Sequence, residues 1–154
     1  MTKLTTNPYP VAFYFAVEFK KGSFSIELPF QEVSGLTVEI DTEEIREGGE
    51  NSFTYHVPTR IKHSNLVLKR ALAPIKGDYL EGLTGRAMNG DPISALNLFE
   101  ITVSLMDANS DPLRSWLISN AYAVKWEVEP FGSSKNELSF EKLEFAYSKL
   151  QRKL

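Results

Sequence analysis

The 154-residue sequence contains no cysteine. Disulfide frameworks, zinc knuckles, iron–sulfur clusters and thiol catalysis are therefore excluded. Histidine is nearly absent as well. His56 and His63 are the only two; neither has a partner at ligand spacing, and solvated or interface roles fit them better than catalysis. Long apolar runs are missing. The longest, Val11 to Val17, has seven residues, whereas a membrane-spanning helix needs ~20. The polar start, Met1 to Pro8, lacks the apolar stretch of a secretory signal. A chain made and folded in the cytosol, or leaving it by a route that reads no N-terminal signal, and without stable membrane insertion, is the expectation. An excess of positive charge is also lacking. Seventeen basic against twenty acidic residues leave a net charge of −3, which argues against nucleic-acid recognition, where phosphate contacts supply most of the affinity.

What is present fits one domain, residues 1–154, since chains of this length cluster there. Apolar residues make up 42% and charged residues 24%, ordinary values for a globule with its own core. Period-two alternation dominates. Tyr9 to Phe19 reads as a strand with Val11, Phe13, Phe15, Val17 and Phe19 on one face, and its other face is only partly polar. A turn at Lys20–Ser23 leads to a strand over Phe24–Phe30. Leu36, Val38 and Ile40 alternate with polar residues until Thr42. Ser52–Val57 is extended up to Pro58, and Asn65–Leu72 is again a strand. Phe99, Ile101, Val103 and Leu105 alternate most cleanly; a turn at Asp107–Pro112 then returns the chain through Leu113–Asn120. Ala123–Val128 is a further short strand. Pro74 to Gly90 has helical spacing, with Ile75, Tyr79, Leu80, Leu83 and Ala87 on one side, bounded by proline and glycine in the usual order. At the C-terminal end, Leu138, Phe140, Leu143, Phe145 and Tyr147 fit either a helix or two strand halves around a bulge at Glu141–Lys142. The fold class is mainly β: an antiparallel sandwich or barrel with one flanking helix over about 75–89.

Residues 41–51 stand apart. Six of these eleven residues are charged and Gly48–Gly49 interrupts them, the composition of an exposed arm with a turn at its tip. Asp41, Glu43, Glu44, Glu47 and Glu50 cannot serve as an acid–base pair in such a solvated stretch, because a raised carboxyl pKa requires desolvation. Asp107, Asn109 and Asp111 open like a calcium loop, but Pro112 and Ile118 fall where glycine and glutamate are needed, so a hairpin turn explains them. Ser34, Ser64 and Ser134 have no nucleophile-elbow context. Gly48–Gly49 lacks the spacing of a phosphate loop. Trp116 and Trp126 read as core. No catalytic, cofactor or metal constellation emerges, and the expectation is a non-enzymatic protein without cofactors.

Four ordered blocks carry a family likeness. The first runs from Phe30-Gln31-Glu32-Val33-Ser34-Gly35-Leu36 into Glu43-Glu44-Ile45-Arg46-Glu47-Gly48-Gly49-Glu50-Asn51. The second is Pro58 to Arg70, the third Asn120 to Trp126, the fourth Asn136 to Ala146. Together they resemble tail tube proteins of contractile phage tails and inner tube subunits of extracellular contractile injection systems, over about Tyr9 to Leu150. The resemblance implies subunits that form hexameric rings, stacked into a hollow tube that a contracting sheath drives through a target envelope, as in type VI secretion tubes. It implies a C-terminal strand rather than a helix. It also implies that a hairpin arm at about 41–62 reaches a neighbouring subunit. Contact residues would be Asp41, Glu43, Glu44, Ile45, Arg46, Glu47, Gly48, Gly49, Glu50, Asn51, Arg60 and Lys62. The implied partners are further copies of the chain, tube paralogues, sheath subunits and spike or baseplate proteins of one phage tail or extracellular or cell-anchored particle. The connection from Ala71 to Leu98 is longer than in short tube subunits, which keeps a tube initiator joining spike to tube as an alternative. A monomeric binding module is the alternative from another class.

Overall fold

Strong period-two patterning becomes paired strands that are apolar on the inward side. The computed structural model describes residues 14–46, 48–49, 54–71, 98–129 and 139–154. The expected helix over 75–89 lies outside them, as do residues 9–13 of the first expected strand. The described chain is built of ten strands: β1 (Tyr14–Lys21), β2 (Phe24–Phe30), β3 (Glu32–Ser34), β4 (Glu39–Ile45), β5 (Tyr55–Lys62), β6 (Leu66–Ala71), β7 (Phe99–Met106), β8 (Pro112–Val128), β9 (Phe140–Ala146) and β10 (Lys149–Arg152). Eight of them form one antiparallel sheet in the order β2-β1-β7-β8-β9-β6-β3, with β10 added beside β8, while β4 and β5 pair only with each other.

Gln31 alone separates β2 from β3, the two ends of that order. Its N–H donates to the Lys69 carbonyl at 2.9 Å, so one bent segment closes the sheet and removes an edge. β8 is the second corner. It pairs with β7 and β10 through its first half and with β9 through its second. The expected strands 113–120 and 123–128 are therefore one strand, bent at Asn120, where φ is 56°. Asparagine tolerates that left-handed conformation better than most residues.

Inside, Val17, Phe19, Phe30, Leu66, Leu68, Phe99, Ile101, Val103, Ile118, Leu143 and Phe145 are buried together. Phe19 is the hub: its ring meets Phe30, Phe99 and Phe145 at centroid distances of 6.3, 6.5 and 5.6 Å. Each such side chain contributes about 1.5–3 kcal/mol on burial. The opposite face of β1 buries Ala16, which stands between Pro29 and Ser104 in register.

The C-terminal segment is the strand β9, but the expected bulge at Glu141–Lys142 is absent. β9 pairs with β6 without interruption, and the irregularity falls on β8, between Ala123 and Lys125. The alternation is consequently shifted by one residue. Glu141, Leu143 and Phe145 point inward and Phe140 points out, where Lys69 lies 4.6 Å from its ring. Glu141 is 1% exposed. It is directly opposite Arg70 in the ladder and ion-pairs with it, and Trp126 Nε1 donates to its second oxygen at 3.1 Å. A buried carboxylate is tolerated when it is paired and hydrogen-bonded in this way. Trp126 is thus a partly exposed hydrogen-bond donor rather than a core residue. Asp107 behaves as a turn residue, its Oδ1 accepting from the N–H groups of Asn109 and Asp111 at 2.8 and 2.9 Å.

Candidate assembly surface

The ribbon β4–β5 differs from the rest in having almost nothing buried. Every residue of β5 and all of β4 but Asp41 are exposed or nearly so. The expected third strand at 36–40 begins only at Glu39, and it continues past Thr42, where the alternation ends, as far as Ile45. β5 likewise passes through Pro58 instead of stopping there. The register slips between Asp41 and Thr42, leaving Thr59 as an extra residue beside Pro58. Proline is accommodated at such a bulge on an exposed ribbon because no ladder N–H is required of it.

A small clasp ties the ribbon to the barrel. Gly35 follows β3 with φ 89°, and it packs so closely on the strand entering β6 that a Cβ would lie 1.8 Å from the Asn65 carbonyl oxygen. The Tyr147 hydroxyl donates to the Gly35 carbonyl at 2.7 Å. The His63 ring stacks on Tyr147 with centroids 4.8 Å apart, and its Nδ1 meets the Thr37 carbonyl at 2.8 Å, a contact that requires the proton on Nδ1. The Ser64 N–H donates to the Thr37 hydroxyl at 3.1 Å. Gly35 is visible in the sequence as a break between strands. Tyr147 stands 112 residues away, and no local pattern marks it.

Burial pushes the Tyr147 phenol above the ordinary tyrosine value. Because the protonated hydroxyl is the form favoured by folding, its contribution is complete below the unfolded value and is lost as pH rises through the folded one. Tyr147→Phe is expected to cost about 1 kcal/mol at neutral pH. It should also remove one component of the alkaline loss of stability. Denaturant titrations from neutral to strongly alkaline pH check both.

Beyond the clasp, Asp41 faces Arg60 and binds both Arg60 and Lys62, at 3.2 and 2.8 Å. The Lys62 hydrogen bond, followed by that of Arg60, holds its carboxyl below the usual range. The structure therefore brings together three of the expected contact residues, Asp41, Arg60 and Lys62. One carboxylate shared by two cations leaves this cluster with one positive charge in excess. Glu43, Glu44, Ile45 and Arg46 run outward from this pair, all exposed, and Gly48 and Gly49 occupy the turn. Gly49 has φ 103° with nothing within 4 Å of a Cβ, so backbone conformation rather than space favours glycine there. Glu47, Glu50 and Asn51 lie outside the described residues.

Large apolar side chains are exposed along the same ribbon. Ile40 and Ile61, opposite each other, are 54% and 63% exposed, and Val38, Ile45, Tyr55 and Val57 join them. Ile40 and Ile61 lie on one face; Val57, Ile45 and Tyr55 lie on the other. Isolated two-stranded ribbons are marginal in water, and clustered exposed apolar groups mark interaction surfaces.

Residues 11–151 match the family described as T4-like virus tail tube protein gp19. Among solved structures, the chain is similar to one in the six-fold symmetrised anti-feeding prophage baseplate, with 24% identity over 92% of this chain and 93% of that one and a TM-score of 0.77. It is similar to a chain of the PVC extracellular contractile injection system's extended sheath–tube complex, with 25% identity over 97% and 93% and a TM-score of 0.74. An Hcp protein shares the fold at 11% identity over 90% and 91%, with a TM-score of 0.58. Comparison with curated proteins returned no match.

Proposed function

The chain belongs to the T4-like tail tube family, and from that premise we propose that it is a structural subunit of the inner tube of a contractile injection machine. Copies close into rings, six being the number the family resemblance implies, and rings stack into a hollow tube inside a sheath. Assembly takes place in the bacterial cytoplasm, and spike or baseplate proteins start the tube. The role is mechanical, not enzymatic.

The observation that carries this reading is the β4–β5 ribbon, which among the described residues pairs with no other strand and exposes apolar side chains on both faces. A ribbon of this kind is stabilised when neighbouring copies cover it. Ring closure repeats each contact, so individually weak contacts suffice. The similarity to a sheath–tube chain supports the same reading. The arm at about 41–62 is, on this view, the part of the single domain that reaches out of its own barrel.

Sedimentation velocity over a concentration series tests the proposal. The intact chain is expected to pass from monomer to species of ring size and larger. Deleting Glu43 to Asn51 should leave the barrel folded, with a cooperative thermal transition, yet abolish the largest species. A deletion that sediments like the intact chain would contradict a role for the ribbon in stacking.

A further inference from the structure

An open edge of β10 and an open edge of β4 carry opposite charge. Among the described residues, β10 is hydrogen-bonded to β8 on one side only, and β4 to β5 on one side only. Around β10 stand Arg114, Lys149, Arg152 and Lys153, all exposed, and among the described residues none of them is ion-paired to a carboxylate. Arg114 donates to the nearby Leu113 backbone oxygen and Arg152 to that of Leu154. On β4, Glu43 and Glu44 are exposed and face Val57 and His56 across the ribbon, with no ion pair among the described residues. Asp41, by contrast, is ion-paired with Arg60 and Lys62.

The placement of these charges fits strand addition. Ladder partners share a face, and neighbours along a strand alternate. Arg152 is paired with Trp116 and Leu150 with Ile118, so Arg152 lies on the barrel-facing side of β10, and Lys149, paired with Ser119, on the other. Lys153 follows the same alternation as Lys149. Positive charge therefore flanks the free edge on both sides. Glu43 and Glu44 are consecutive and likewise point to opposite faces of β4.

We propose that the β4 edge of one copy adds to the β10 edge of a neighbouring copy, with Glu43 and Glu44 meeting the basic residues on either side of β10. This rests on the tube reading above and names the surface that receives the ribbon. The strand backbones supply hydrogen bonds that would otherwise go to water, and the charges supply selectivity: a basic edge repels other basic edges and accepts an acidic strand.

Charge reversal tests this in purified chains whose folding is checked by circular dichroism. Glu43→Lys with Glu44→Lys, and separately Lys149→Glu with Arg152→Glu, should each lower the pelleted tube fraction by about tenfold, since weak pairs are repeated at every subunit. The chain carrying all four substitutions should recover to within about twofold of the parent. If the parent forms tubes and either reversal leaves the yield unchanged, or the fourfold variant is no better than the double variants, the pairing is wrong while the tube reading stands. A parent chain that forms no tubes overturns the tube reading, and this inference with it.

Discussion

Gly35→Ala is expected to destabilise the protein by at least ~3 kcal/mol, a large share of the total stability of an ordinary domain. Two causes act together. The backbone has φ 89°, where L residues are strained. The added methyl would also lie 1.8 Å from the Asn65 carbonyl oxygen, a backbone atom that no rotamer change can move aside. Relief requires the segment after β3 to separate from the one entering β6, which also pulls the Gly35 carbonyl away from Tyr147. Soluble yield and thermal melting measure the effect. A soluble variant melting within about 2 °C of the parent would show that this crossing is not as tight as described.

Arg70→Met is expected to cost about 3–5 kcal/mol. The substitution keeps much of the apolar stem, which packs with the guanidinium 5.8 Å from the Phe30 ring centroid. It removes the cation facing Glu141, leaving a carboxylate that is 1% exposed with Trp126 Nε1 as its remaining hydrogen-bond donor among the described residues. Breaking one partner of a buried pair strands the other charge, whereas replacing both with apolar groups is often neutral or stabilising. Arg70→Met combined with Glu141→Leu should therefore recover most of the loss. Urea unfolding with an unchanged slope is the measurement. A single variant that loses less than about 1 kcal/mol would mean that water or chain relaxation reaches Glu141.

These two sites show where the sequence was readable and where it was not. Clean alternation located β7 directly: Phe99, Ile101 and Val103 are buried as their spacing requires. The charged, glycine-tipped composition of 41–51 marked an exposed stretch, and β4 is exposed there. Glu141 defeated the same logic. A hydrophobicity pattern assumes that inward residues are apolar, so a paired inward glutamate displaced the expected bulge from Val124 on β8 to β9. Pro58 was misleading for a related reason. Proline ends a strand only where its missing N–H matters, and beside the extra residue Thr59 it does not. The clasp of Gly35, Thr37, His63 and Tyr147 joins residues far apart in sequence, and only tertiary closure brings them together. The charges of β10 were present in the sequence, but the meaning proposed for them depends on an edge left unpaired among the described residues, which is a property of topology.

The proposed self-assembly into tubes is tested most directly by negative-stain electron microscopy of the purified chain over a concentration series. Hollow tubes of one diameter, lengthening as concentration rises, are the predicted result. Dispersed monomers at the highest concentration, with no ring or lumen visible, would contradict it.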